Sequence, residues 1–264
     1  MLGAIVGDII GSVRENLRIK HKDFELFPKL SFYTDDTVLT IAVADAIMNG
    51  KSFGEVIKAY ARRHPLRGYG PKFMLWMLSP GIKPYNSFGN GSAMRVSPVA
   101  HAYNSVEDVL QYAKESAECT HNHPEGIKGA QATALAIYLA RTGADKEDIR
   151  KEVSDRFDYD LNRSIDDIRP DYRINLTCPG SVPEAIIAFL DSNSFEDAVR
   201  NAVSLGGDAD TQAAIAGAIA ETYYDGIPSS ILEKAWAKIP KSFQNVIIAF
   251  SKKYETPKLP TRMI

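Results

Sequence analysis

Two alanine-rich stretches, residues 131–140 and 213–220, constrain this chain most. Alanine has the highest intrinsic helix propensity and no side-chain freedom to lose. Alternating β-branched runs of useful length are absent elsewhere, so the chain reads as all-α. Small side chains let helix axes approach closely, which places these two segments in the middle of a bundle. Helix signals fill in the rest. Residues 2–13 are apolar with small residues interleaved, and residues 34–48 run to a stop at Gly50. Ser52-Phe53-Gly54-Glu55 is a capping box for a helix ending before Pro65, and Ser105 and Ser194 repeat that logic with Asp at the third position. Pro124 opens a run to Arg141. Further helices are predicted over 182–190, 210–224, 230–237 and 243–253, with one short helix near 164–168 inside an irregular excursion over 157–180. Pro80, Gly81, Pro84, Gly89 and Gly91 make 79–91 a loop.

The chain has 264 residues and neither a composition shift nor a fixed-period repeat, so residues 1–264 read as one domain. A net charge of −2 offers no basic surface for nucleic acid or anionic membrane. No run of 18 apolar residues is present, and Asp8 interrupts the short apolar start, so neither a membrane span nor a signal peptide is expected. Cys119 and Cys178 have no metal-like spacing and read as reduced thiols of a cytoplasmic protein. A monomer suffices at this size.

Chemistry concentrates in two acidic clusters. Thr34-Asp35-Asp36-Thr37 opens a helix, where free N–H groups and the helix dipole favour carboxylates. One side chain suffices for a cap, and here two carboxylates are flanked by hydroxyls. Gly206-Gly207-Asp208-Ala209-Asp210-Thr211 joins two helices, and its carboxylates two apart can converge. The alanine-rich helix that follows should bury them. Several buried carboxylates without cations are too costly to be a default, and hard oxygen donors suit Mg²⁺ or Mn²⁺. Asp8 and Glu15 lie seven apart on one helical face and are either a third contributor or ordinary surface charges. Gly7 and Gly11 weaken that helix by about 1 kcal/mol each relative to Ala, which suggests close packing or a close ligand.

These residues carry a resemblance. Gly7-Asp8-x-x-Gly11-Ser12-x-x-Glu15, Tyr33-Thr34-Asp35-Asp36-Thr37, Gly89-Asn90-Gly91-Ser92-Ala93-Met94-Arg95, Thr120-His121-x-His123-Pro124 and Gly206-Gly207-Asp208-Ala209-Asp210-Thr211 occur in this order over nearly the whole chain. In them the chain resembles the ADP-ribosylglycohydrolases, which include the dinitrogenase reductase-activating glycohydrolase and the ADP-ribosyl-acceptor hydrolases. The resemblance implies an all-α, single-domain orthogonal bundle with a central site for two Mg²⁺ or Mn²⁺ ions. It implies Thr34, Asp35, Asp36, Asp208, Asp210 and Thr211 as metal ligands, and Glu15 and Asp35 as catalytic carboxylates. It further implies Gly89, Asn90, Gly91, Ser92, Met94 and His121 as substrate-binding residues, the N–H groups of a helix opening at Ser92 forming the anion site. His121 and His123 also read as packing or capping residues, and Gly180-Ser181-Val182 resembles an adenosine-side segment.

The expected activity is metal-dependent removal of ADP-ribose by cleavage at the distal ribose. The expected partner is an ADP-ribosylated protein, in the first instance ADP-ribosylarginine, or a small ADP-ribosyl conjugate. ADP-ribosylserine and O-acetyl-ADP-ribose are the alternative substrates. A non-catalytic ADP-ribose-binding module is the alternative function.

Overall fold

The computed structural model describes residues 1–15, 17–254 and 259. The domain expected over 1–264 therefore includes residues 16, 255–258 and 260–264, which lie outside that description. The chain runs through α1 (Leu2–Gly11), α2 (Asp35–Asn49), α3 (Phe53–Arg63), α4 (Pro71–Leu78), a 3₁₀ turn (Asn90–Ser92), α5 (Ser97–Ala102), α6 (Val106–Glu118) and α7 (Pro124–Arg141). It continues with α8 (Lys146–Phe157), α9 (Ile165–Ile168), α10 (Cys178–Leu190), α11 (Phe195–Val203), α12 (Ala209–Tyr223), α13 (Ser229–Trp236) and α14 (Lys241–Tyr254). The fold is all-helical, as expected. Among the described residues β pairing is confined to one antiparallel bridge between Gly89 and Thr177, and no helix is long and apolar enough to cross a membrane.

The cap signals act where the sequence places them. The side chains of Thr34, Ser52, Ser105, Ser164 and Ser194 each accept a hydrogen bond from a first-turn N–H. Gly50 ends α2 in the left-handed conformation at φ 60°, which costs glycine no Cβ strain. Helices α4, α5 and α8 lie outside the predicted set. In α4 the apolar residues face both ways, Phe73 and Trp76 inward and Leu75 and Leu78 outward, so no amphipathic period marks it. Helix α8 is charged, and its signal is the Asp145 cap, whose Oδ1 accepts from Asp148 N at 2.9 Å.

The two alanine-rich segments occupy α7 and α12, and α12 is buried from Ala209 to Glu221. Its main partner is α1, buried along its whole length. Three glycines spaced by four make the contact. A Cβ on Gly3 would lie 2.1 Å from the Gly217 carbonyl oxygen, on Gly7 2.0 Å from that of Ala213, and on Gly11 2.4 Å from that of Ala209. The two backbones therefore touch with no side chain between them, and these glycines serve close packing. Helix α1 ends at Gly11, two residues short of expectation, so Glu15 sits in the turn after it and not on the Asp8 face.

This seam is testable. Gly7→Ala adds helix propensity worth about 1 kcal/mol, but its methyl must displace backbone, so a net loss of about 2–3 kcal/mol is expected. Gly81→Ala, with nothing within 4 Å of the new Cβ, should stay within about 0.5 kcal/mol. Urea unfolding measures both, and equal stabilities would refute the seam.

Candidate active site

A cavity of about 530 Å³ opens where α1, α2 and α12 converge with the 89–94 loop, within the ~300–1,000 Å³ usual for small-molecule sites. Glu15, Thr34, Asp35, Asp36, Asp208, Asp210 and Thr211 line one side, and Gly89, Asn90, Gly91, Met94 and His121 the other. Of the expected site residues only Ser92 is absent from the wall. It is fully buried, with Oγ donating to the Gly126 carbonyl at 2.7 Å. The helix expected to open at Ser92 is a single 3₁₀ turn over Asn90–Ser92. The loop is held from below by paired bonds around the bridge, Asn90 N to Leu176 O and Cys178 N to Phe88 O, each at 2.9 Å.

Asp8 is neither a surface charge nor a wall residue. It is fully buried beneath the first cluster and accepts from the backbone N–H and the hydroxyl of both Thr34 and Thr37. These four donors fix the Thr34-Asp35-Asp36 turn to α1. Burial and the nearby Asp210 carboxylate push the Asp8 carboxyl up to about 7, against the pull of the threonine donors. Asn90 spans both halves of the site. Its Nδ2 donates to Asp208 Oδ2 at 2.6 Å and to Ser181 Oγ at 3.2 Å, so it orients an acidic side chain and connects the 180–182 segment to it. The two histidines separate. His123 caps α7, its Nδ1 accepting from Glu125 N at 3.1 Å. His121 faces the glycine loop.

The carboxylates are poorly compensated. Burial raises Asp35, Asp36 and Asp208 well above the usual range and Glu15 to a lesser degree, with Asp210 the next cause for each. The charges acting most strongly on them are other carboxylates. Asp36 Oδ1 is buried with no hydrogen-bond partner, and its Oδ2 receives only long contacts of 3.4 Å from Thr34 and Thr211. Among the described residues no group of three or more His, Cys, Asp or Glu side chains is placed so as to hold a metal ion. The donors are carboxylates mixed with threonine hydroxyls around an open cavity. That set still fits hard divalent cations, which prefer oxygen ligands. An unpartnered buried carboxylate oxygen amid like charges calls for positive charge.

Sequence reasoning missed Tyr85, Ser87, the 66–70 loop and the first turn of α4, which also line the cavity. Gly68, at φ 100°, brings that loop against Asp35, where a Cβ would lie 3.0 Å from Oδ1. Asp35 N donates to Arg67 O at 2.8 Å. A glycine followed by Tyr69-Gly70-Pro71 was the available turn signal.

The chain matches the family model for ADP-ribosylglycohydrolase over residues 1–254. It belongs to the ADP-ribosylglycohydrolase family. The family consists of glycosidic-bond hydrolases. The human protein named ADP-ribosylhydrolase ARH3 is 29% identical, covering 87% of this chain and 86% of the relative. ADP-ribosylarginine hydrolase Tri1 of Pseudomonas putida is 27% identical over 90% of this chain and 74% of its own. A solved ADP-ribosylglycohydrolase-related protein complex superposes with a TM-score of 0.69 at 23% identity, covering 95% of this chain and 96% of that one, and shares the fold.

The electrostatics of this ADP-ribosylglycohydrolase site predict how its stability changes. Carboxylates with raised folded values hold protons longer in the native than in the unfolded state. The cluster's contribution is therefore favourable below about pH 4, the ordinary carboxylate range, and is lost as pH rises toward 7, the folded value of Asp8. Melts in EDTA should show a lower Tm at pH 8 than at pH 5. Asp210→Asn, which relieves all five neighbours, should raise the pH 8 value, and an unchanged or lower Tm would mean the charges are already compensated.

Proposed function

We propose that this protein removes ADP-ribose from an acceptor by hydrolysing the glycosidic bond at the ribose distal to adenine, with two Mg²⁺ or Mn²⁺ ions as cofactors. One observation carries the reading: a single cavity joins a cluster of uncompensated carboxylates to a glycine loop faced by a histidine. The first half suits cations and the second a diphosphate, and a diphosphate-linked ribose spans both. Thr34, Asp35, Asp36, Asp208, Asp210 and Thr211 would hold the ions. Bound there, these would supply Lewis-acid polarisation of ribose hydroxyls and of water.

The chain's own residues supply the rest. Gly89 and Gly91 let the diphosphate approach the loop backbone. Asn90 keeps Asp208 turned toward the cavity. Asp8 anchors the Asp35–Asp36 turn to α1 and so holds it against Asp210. The glycosidic transition state develops positive charge on the distal ribose, which flanking carboxylates stabilise. Glu15 lies on a turn at the cavity wall with no hydrogen-bond partner among the described residues. It is the carboxylate best placed to take a proton from the attacking water, while Asp35 is held in the metal-binding turn. For the acceptor we favour arginine in an ADP-ribosylated protein, on the similarity to ADP-ribosylarginine hydrolase Tri1. Location in the cytoplasm and a monomeric state complete the reading.

The test is release of ADP-ribose from arginine-, serine- and acetyl-linked substrates. The arginine conjugate should turn over fastest, EDTA should stop release and Mg²⁺ restore it. Asp36→Asn should lose about 100-fold or more, as losses at metal sites commonly do. Turnover indifferent to chelation would reject the metal site. Tight ADP-ribose binding without turnover of any conjugate would identify a binding module instead.

A further inference from the structure

Behind His121 lies a chain of groups that the proposed reaction does not use directly. Arg95 is fully buried. Its Nη2 donates to the Ser116 carbonyl and to Thr120 Oγ1, each at 2.8 Å. Thr120 Oγ1 in turn lies 2.7 Å from His121 Nδ1. The opposite ring nitrogen, Nε2, faces the glycine loop, where a Cβ would stand 3.2 Å from it on Gly91 and 3.6 Å on Gly89. Nε2 has no hydrogen-bond partner among the described residues.

Donor and acceptor counting fixes the direction of this chain. A guanidinium only donates, so Arg95 occupies a lone pair of the Thr120 hydroxyl and leaves its proton to be placed. Two other acceptors are near: Cys119 Sγ, a weak sulfur acceptor that Arg95 Nη2 already contacts at 3.7 Å, and Ala117 O, at 3.5 Å. That carbonyl already accepts the backbone N–H groups of Thr120 at 3.0 Å and of His121 at 2.7 Å, which uses both its lone pairs. The hydroxyl proton therefore goes to His121 Nδ1, and the ring carries its own proton on Nε2. A doubly protonated ring would set Nδ1–H against the Thr120 proton. Burial and the Arg95 charge both favour the neutral ring.

We propose that Thr120, oriented by Arg95, is a positioning residue that locks His121 in the Nε2–H tautomer, presenting a neutral donor to an anionic ligand in the 89–91 loop. A neutral donor suits a diphosphate beside a cation-binding cluster, because it binds the anion without adding a charge that would compete with the ions. The ligand half of this proposal rests on the nucleotide reading above. The tautomer half does not.

The experiment is ¹⁵N–¹H correlation of histidine side chains in the full-length protein at neutral pH without ligand, with His121→Gln used to assign the signal, followed by calorimetric titration with ADP-ribose. Wild type should show an unprotonated Nδ1 and a protonated Nε2. Thr120→Val, which keeps shape and removes the hydroxyl, should lose the single tautomer and bind ADP-ribose about tenfold more weakly, and Thr120→Ser should restore both. A merely structural Thr120 would move neither the tautomer nor its rescue. A wild-type proton on Nδ1 overturns the proposal whatever the variants do, even should Thr120→Val fail to fold. Unchanged tautomer and affinity in Thr120→Val overturn it also. Wild type with the expected tautomer but no affinity for ADP-ribose leaves the relay standing and removes the nucleotide reading instead.

Discussion

The backbone contact between α1 and α12 is the constraint from which the rest of the site follows. Glycine at every fourth position of α1 removes the side chains that normally keep helix axes 8–10 Å apart. The carbonyls of Ala209, Ala213 and Gly217 sit where Cβ atoms would be. This sets Asp8 on α1 and Asp210 at the start of α12 in one charge neighbourhood. Asp8 then draws in the Thr34–Thr37 turn through four donors, and the first acidic cluster arrives beside the second. Gly206, at φ 63° with segment 18–19 pressed against it, completes the approach.

The arrangement concentrates like charge at the centre of a helical core. A protein selected for stability alone would replace such a cluster with apolar residues. Its presence at the end of a helix seam built from alanine and glycine marks the place where stability is given up for binding. The neutral half of the cavity is organised the opposite way. Two groups left open at the cavity, Nε2 of His121 and Oδ1 of Asp36, differ in sign of preference: one offers a proton, the other requires a cation. Asn90 bridges the two halves and so couples the orientation of Asp208 to the loop that faces His121.

Much of this was legible in the chain. Alanine content and cap residues located most helices, because both act within a few residues of themselves. The acidic clusters stood out for carrying more carboxylates than caps need. What escaped lacked a local period or a local excess. Helix α4 is apolar on both faces, and α8 is polar on nearly all of them. Asp8 read equally as a contributor to the site or as a surface acid, since nothing in its neighbours reports that α12 will cover it. Ser92 looked like part of a helix N-terminus, but Gly126 approaches from α7 and takes its hydroxyl. Arg95 and Thr120 are 25 residues apart, and no spacing rule connects them.

By itself the sequence determined the helical class, the positions of several caps, the family and the kinds of donor atoms available, for these follow from propensities and side-chain chemistry that act locally. Only the tertiary structure decided which acids are buried together, that Glu15 stands on a turn instead of the first helix, that Asn90 holds Asp208, and which nitrogen of His121 meets the glycine loop. Each of those depends on a partner brought from more than 20 residues away or on where a helix stops, and burial, charge repulsion and hydrogen-bond direction are properties of the assembled neighbourhood.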